Sequence, residues 1–228
     1  MAPTVLSPAS PSELLHYIVT YQTYPTTLII CCSQEEFISS LVADVRKRST
    51  QEDSHHSEEH PPHPLLAAPL FQEAIARHIR LLFIPTVIHL RANLSVFSPE
   101  DSLVPPPPNI SPSSGKHHPP LLLVYGFLHL HRDSSEWSAQ GISCSAALLV
   151  EAARRTAFKP VIVEPKHLEG HNEFEALLHD DAPILSGSSR RTEGGWTGRT
   201  VEIRRVLGRW FHFQTGQWDI QWEEHEAS

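Results

Sequence analysis

Three short aliphatic runs constrain this chain most: Thr27 to Cys32, Leu121 to Tyr125, and Val161 to Val163. None alternates apolar with polar residues, so each reads as a strand buried on both faces, the signature of a parallel sheet covered by helices. Parallel neighbours need crossover connections, and the intervening segments carry helical spacing. Ser33 is an N-cap candidate, with Glu36 three residues on completing a capping box. Phe37, Leu41 and Val45 then form one stripe that ends in Arg46-Lys47-Arg48, favourable for the helix dipole. Leu70 to Ile79 reads as a second helix and Arg80 to Ile84 as a short strand. Pro85 opens a third helix through Val87, Leu90 and Leu94. Asp133 and Glu136 form another capping pair, ahead of a helix with Ile142, Ala146, Leu149 and Ala153 on one face and Arg154-Arg155 at its end. The expectation is one α/β domain over residues 1–228, with a mostly parallel central sheet flanked by helices.

The 228 residues are 40% hydrophobic, enough for a substantial core. The 20 prolines are unevenly placed. Segments 49–69 and 98–120 lack hydrophobic periodicity and read as disordered insertions, the second proline-rich. Toward the C-terminus, Thr200 to Val206 alternates, and Leu207-Gly208 can turn it into Arg209 to Phe213, which predicts a β-hairpin. Residues 215–228 form an acidic, aromatic tail.

No apolar run reaches the roughly 18 residues of a membrane span, and residues 1–12 lack the basic and apolar regions of a secretory signal. Cys31, Cys32 and Cys144 cannot build a disulfide framework and read as thiols of a reducing compartment, cytosol or nucleus. The net charge of −8 argues against nucleic-acid binding by the whole surface but leaves room for a local basic patch. His55, His56, His60 and His63 fall in the first insertion without the cysteines of structural zinc sites, so neither a metal nor a cofactor is expected.

The order of elements points to a family. Leu121 to Arg132, a polar loop, a long helix ending Ala152-Ala153-Arg154-Arg155 and Val161-Ile162-Val163 resemble the centre of RecA-type recombinase paralogs. Gly198 to Arg205 resembles that family's closing, arginine-bearing strands. The resemblance implies a RecA-like fold and a nuclear subunit of a hetero-oligomer of RecA-like paralogs in homologous recombination, as in Shu-type assemblies. The RecA-like ring of the Elongator accessory subcomplex, which serves tRNA modification, is the alternative within the same fold.

The family's nucleotide chemistry is missing. A P-loop needs glycines whose amides surround phosphate, a lysine and a magnesium-binding hydroxyl. After Thr27 to Cys32 stands Ser33-Gln34-Glu35-Glu36-Phe37, whose carboxylates oppose an incoming phosphate. The only Gly-Lys pair, Gly115-Lys116, lies in the proline-rich insertion, and Tyr125 stands where the resemblance expects the Walker B acid. The chain is therefore expected not to be an enzyme. The competing enzymatic reading uses a strand-end pocket near Cys31, Cys32 and Tyr125, beyond the carboxyl ends of parallel strands.

Two further groups of residues are candidate sites. Arg190, Arg191, Arg199, Arg204, Arg205 and Arg209, with Gly194-Gly195-Trp196 among them, have the composition of a nucleic-acid contact, DNA in the resembled family. They read equally as a solvated basic strand balanced by Asp219, Glu223, Glu224 and Glu226. Trp210, Phe211, Trp218 and Trp222 crowd the C-terminus and are expected to anchor a protein partner.

Overall fold

Each aliphatic run becomes a strand that alternates between two buried faces. The computed structural model describes residues 2–21, 24–52, 70–105, 120–166, 173–185, 199–216 and 218. The first half is β1 (Thr4–Ala9), α1 (Pro11–Tyr21), β2 (Thr26–Ile30), α2 (Gln34–Glu52), α3 (Leu70–Ala76), β3 (Ile79–Phe83) and α4 (Val87–Ser95). The second is β4 (Leu121–Tyr125), α5 (Phe127–Arg132), α6 (Ala139–Thr156), β5 (Lys159–Pro165), α7 (Glu173–His179), β6 (Asp181–Pro183), β7 (Thr200–Glu202), α8 (Ile203–Leu207) and β8 (His212–Gln214). The central sheet has six strands in the order β3-β2-β4-β5-β1-β8, every neighbouring pair parallel. Leu28, Ile30, Leu121, Leu123, Val161 and Val163 point to one face, against Leu14 and Ile18 of α1 and Phe37 of α2. Ile29, Leu122, Val124 and Ile162 point to the other, against Leu90, Ile142, Leu149 and Val206 from α4, α6 and α8. The expected α/β architecture is present.

Several local expectations need correction. The first strand and helix of the chain, β1 and α1, were not foreseen; β1 lies between β5 and β8 inside the sheet. The segment after β4 that carries His129 and His131 is helix α5. Gly126 adopts φ 82°, a left-handed conformation natural to glycine, and turns the chain into α5 directly after β4. Asp133 closes α5, and the N-cap of α6 is Ser138, whose hydroxyl accepts the Gly141 N–H at 3.0 Å. The two strands of the expected C-terminal hairpin do not pair with each other. Instead β7 pairs antiparallel with β6, β8 pairs parallel with β1, and helix α8 stands between them. Burying Ile203, Val206 and Leu207 together requires helical spacing, and that burial overrides the alternation of the sequence. Of the two insertions, residues 49–52 continue α2 and residues 98–105 carry a 3-10 turn over Pro99–Asp101. The rest of both lies outside the described residues.

Polar contacts lock the helices of the second face. Arg155 of α6 donates to the carbonyls of Leu94, Ser95 and Phe97 at 3.2–3.4 Å, satisfying the C-terminal end of α4. Arg91 of α4 reaches Ser145 Oγ at 2.9 Å and Glu136 at 2.6 Å. The same Ser145 hydroxyl lies 2.9 Å from His131 Nε2, and His131 Nδ1 donates to the Phe127 carbonyl at 2.7 Å. His131 is fully buried, and that burial pushes its pKa down to about 4. The end of α6 is less relaxed: Ala157 holds φ 60°, with the Phe158 N–H reaching back to the Ala153 carbonyl at 2.9 Å. Ala157→Gly is expected to raise stability by about 0.5–1 kcal/mol, because relief of left-handed strain exceeds the added chain entropy. Urea midpoints of the two proteins measure this.

Candidate functional site

Two concave surfaces bring together residues singled out from sequence. The first is at the carboxyl edge of the sheet. From β2 the chain proceeds outward to β3, whereas from β4 it proceeds the opposite way to β5, so the crevice between β2 and β4 is a topological switch point. A cleft of about 560 Å³ opens there, lined by Cys31, Cys32, Tyr125 and Gly126 at the strand ends. Phe37 of α2 meets Tyr125 edge-on at 5.9 Å, and the Tyr125 hydroxyl donates to the Ala9 carbonyl at 3.0 Å.

Carboxylates hold the backbone amides of this edge. In α1, Ser10 and Glu13 form a reciprocal capping box. Glu13 Oε2 accepts the Ser10 N–H at 2.8 Å, and Ser10 Oγ accepts the Glu13 N–H at 3.4 Å. Asp44 of α2 crosses to accept the Ser12 N–H at 3.0 Å. Glu164, the buried penultimate residue of β5, accepts from the N–H groups of Leu128 and His129 at 2.7 and 3.4 Å. Such first-turn amides are where a helix would otherwise receive phosphate. Glu35 and Glu36, expected to oppose phosphate, are exposed in the first turn of α2, where Ser33 Oγ accepts the Glu36 N–H at 3.2 Å. Glu13, Asp44 and Glu164 went unnoticed in sequence. For Glu13 a signal existed, since Ser10-Pro11-Ser12-Glu13 precedes the apolar Leu14 and Leu15.

The thiols here are not activated. Burial raises the Cys31 pKa, assisted by Glu164, and burial with Glu36 pushes Cys32 up to about 11. A thiolate nucleophile would need the opposite shift. Burial and the surrounding carboxylates raise Tyr125 as well. Burial also pushes the Glu164 carboxyl up to about 7, against the lowering effect of its backbone hydrogen bonds.

The second surface is a groove of about 780 Å³ between the first half of α6 and the β7–α8 segment. Arg199, Arg205 and Arg209 line it with Trp210, and among the described residues its lining contains no acidic side chain. Trp210 is fixed there by a 3.0 Å hydrogen bond from Nε1 to Ser143 Oγ. Arg204 turns elsewhere. It pairs with Glu175 at 3.1 Å and lies over the Phe213 ring at 5.1 Å. Arg190 and Arg191 lie outside the described residues.

The aromatic anchors divide in the same way. Phe211 is a correction: it is 3% exposed, a core residue drawn inward where its N–H donates to the Leu207 carbonyl at 2.9 Å. Trp218 is half-buried, edge-on to Tyr17 at 5.2 Å, with Nε1 donating to Ser7 Oγ at 3.0 Å. Trp222, with residues 217 and 219–228 of the acidic tail, lies outside the described residues, as does the histidine cluster of residues 55–63. Among the described residues no group of three potential metal ligands converges, and no helix is long and apolar enough to cross a membrane.

Fold and site together define an α/β protein with a covered parallel sheet, a cleft at its switch point and a separate basic groove. Neither a protein-family model nor a curated protein matches the sequence.

Proposed function

We propose that this chain is a non-catalytic, RecA-like subunit of a hetero-oligomeric complex in homologous recombination and DNA repair, working in the nucleus beside other RecA-like subunits. The observation that carries the reading is the occupation of amides at the carboxyl edge by the chain's own carboxylates. Glu13 and Asp44 hold the start of α1, and Glu164 holds the start of α5. A triphosphate entering there would have to displace three carboxyl groups and find a counter-charge that the described cleft lining, with no lysine or arginine among its residues, does not supply. The basic groove with Arg199, Arg205, Arg209 and Trp210 supports a role in contacting nucleic acid.

Affinity purification of the chain from its native cells tests the reading, with calorimetry against magnesium-ATP run on the same material. The expected outcome is stoichiometric co-purification of recombination factors and no heat of nucleotide binding to the isolated chain. Recovery of Elongator subunits would move the protein to tRNA modification. Stoichiometric ATP binding would overturn the non-catalytic assignment.

A further inference from the structure

The switch-point cleft has a character of its own once phosphate is set aside. At about 560 Å³ it has the size of a small-molecule site rather than of a packing defect. Its floor is apolar and aromatic, formed by Phe37, Tyr125 and Leu130. Glu36 from α2 and Asp133 from the end of α5 reach it from opposite sides of the sheet. Among the described residues neither carboxylate makes an ion pair, and the lining contains no lysine or arginine; its one imidazole, His129, faces Glu164 at 3.9 Å. The cations next along the chain are already engaged, Arg132 with Asp180 and Lys166 with Glu13. The negative field extends to the floor: Glu164, Asp44 and Glu13 all disfavour ionisation of Tyr125, and Glu36 disfavours that of Cys32. Carboxylates without an ion-pair partner, lining an apolar cleft, attract a cation by charge.

We propose that this cleft binds a small organic amine, with its aliphatic or aromatic body against Phe37, Tyr125 and Leu130 and its ammonium between Glu36 and Asp133. The Tyr125 hydroxyl is committed to the Ala9 carbonyl, so it makes no competing polar demand on the amine. Thr86 and Ser134 at the rim can accept the remaining ammonium hydrogens. A carboxylic acid of the same shape meets two like charges and is rejected. The assignment is independent of any role in recombination.

The test uses phenethylamine and 3-phenylpropionate, which share a ring and a short chain but carry opposite charge, titrated into the full-length protein and followed by ligand-observed NMR. Phenethylamine is expected to bind at least about tenfold more tightly than phenylpropionate, and Glu36→Gln with Asp133→Asn to bring the two within about threefold. Leu130→Trp, which fills the floor, and Ser40→Trp, which narrows the exposed mouth, should each abolish binding. Ser40→Trp keeps the test sound if Leu130→Trp does not fold. Equal binding of the two probes, no binding of either, or binding that survives both filling variants at an unchanged unfolding midpoint would overturn the proposal. Loss of phenethylamine binding once the chain is joined to a co-purified partner would assign the cleft to a partner side chain and overturn it as well.

Discussion

Replacing Arg199, Arg205 and Arg209 together by glutamine is expected to lower affinity for a single-stranded oligonucleotide roughly a hundredfold at low salt. The magnitude follows from about 1 kcal/mol for each lost charge-assisted contact to phosphate. The salt dependence should change with it. Each phosphate contact on a single strand contributes a slope of about 0.7 in log affinity against log salt, so three lost contacts flatten the plot by about 2. Arg204→Gln is the internal control. Its guanidinium is committed to Glu175 and the Phe213 ring, so its loss should change affinity less than about twofold. The four positions are exposed, and none is a core residue, so the triple variant should unfold at the wild-type midpoint. Fluorescence anisotropy across a salt series measures both quantities. A triple variant with wild-type affinity and slope would reduce the arginines to a solvated basic strand. Sequence alone gave six arginines equal standing, and only packing separates the groove-lining residues from Arg204.

The sheet was legible because its central strands have no polar face. Leu121 to Tyr125 and Thr26 to Ile30 are buried at every position, which leaves an uninterrupted apolar run in the sequence. β1 is also enclosed between two strands, yet Ser7 and Pro8 break its apolar character, and Thr4, Val5, Leu6 and Ala9 alone do not spell a strand. The helices follow the same logic. Val87, Leu90 and Leu94 bury one stripe of α4 as their spacing requires, whereas α5 is too short for periodicity to show and depends on the turn at Gly126. In α8 the spacing of Ile203, Val206 and Leu207 fits a helix, but the preceding Thr200-Val201-Glu202 is strand, and a single alternating reading merges the two.

The candidate site was less legible than the fold, for a physical reason. Cys31, Cys32 and Tyr125 were found because strand ends gather ligands in parallel sheets. The carboxylates that occupy the amides a phosphate would need come from β5, α1 and α2, and nothing local connects Glu13, Asp44 and Glu164. Asp44 reads as a polar residue on a helix, and Glu164 as an ordinary exit from a strand. Long-range hydrogen bonds, from Asp44 back to Ser12 and from Glu164 back to Leu128, give both residues their role.

Glu164 and His131 together predict an unusual pH profile. His131 is buried neutral, with its pKa depressed from an ordinary 6.5 to about 4. Its contribution to stability is complete above pH 6.5 and is lost as pH falls through 4, roughly 3 kcal/mol in all. Glu164 runs the other way, with its carboxyl raised from 4.5 to about 7. Its contribution is complete below pH 4.5 and is lost as pH rises through 7, again roughly 3 kcal/mol. Between about pH 4.5 and 6.5 the unfolded chain takes up one proton at the histidine while the folded chain keeps one at the glutamate, so the two slopes cancel. Wild-type stability should therefore be nearly level across that window. Glu164→Gln keeps one acceptor for the start of α5 and removes the titration, so the variant should lose roughly 3 kcal/mol on acidification from pH 6.5 to 4. The reciprocal change, His131→Gln, leaves the Glu164 slope alone, so that variant should weaken as pH rises from 4.5 to 7. Urea unfolding of the three proteins at half-unit pH intervals decides the matter. Parallel profiles for wild type and Glu164→Gln would show that the buried carboxyl does not titrate in this range, and that the amides of α5 hold it ionised throughout.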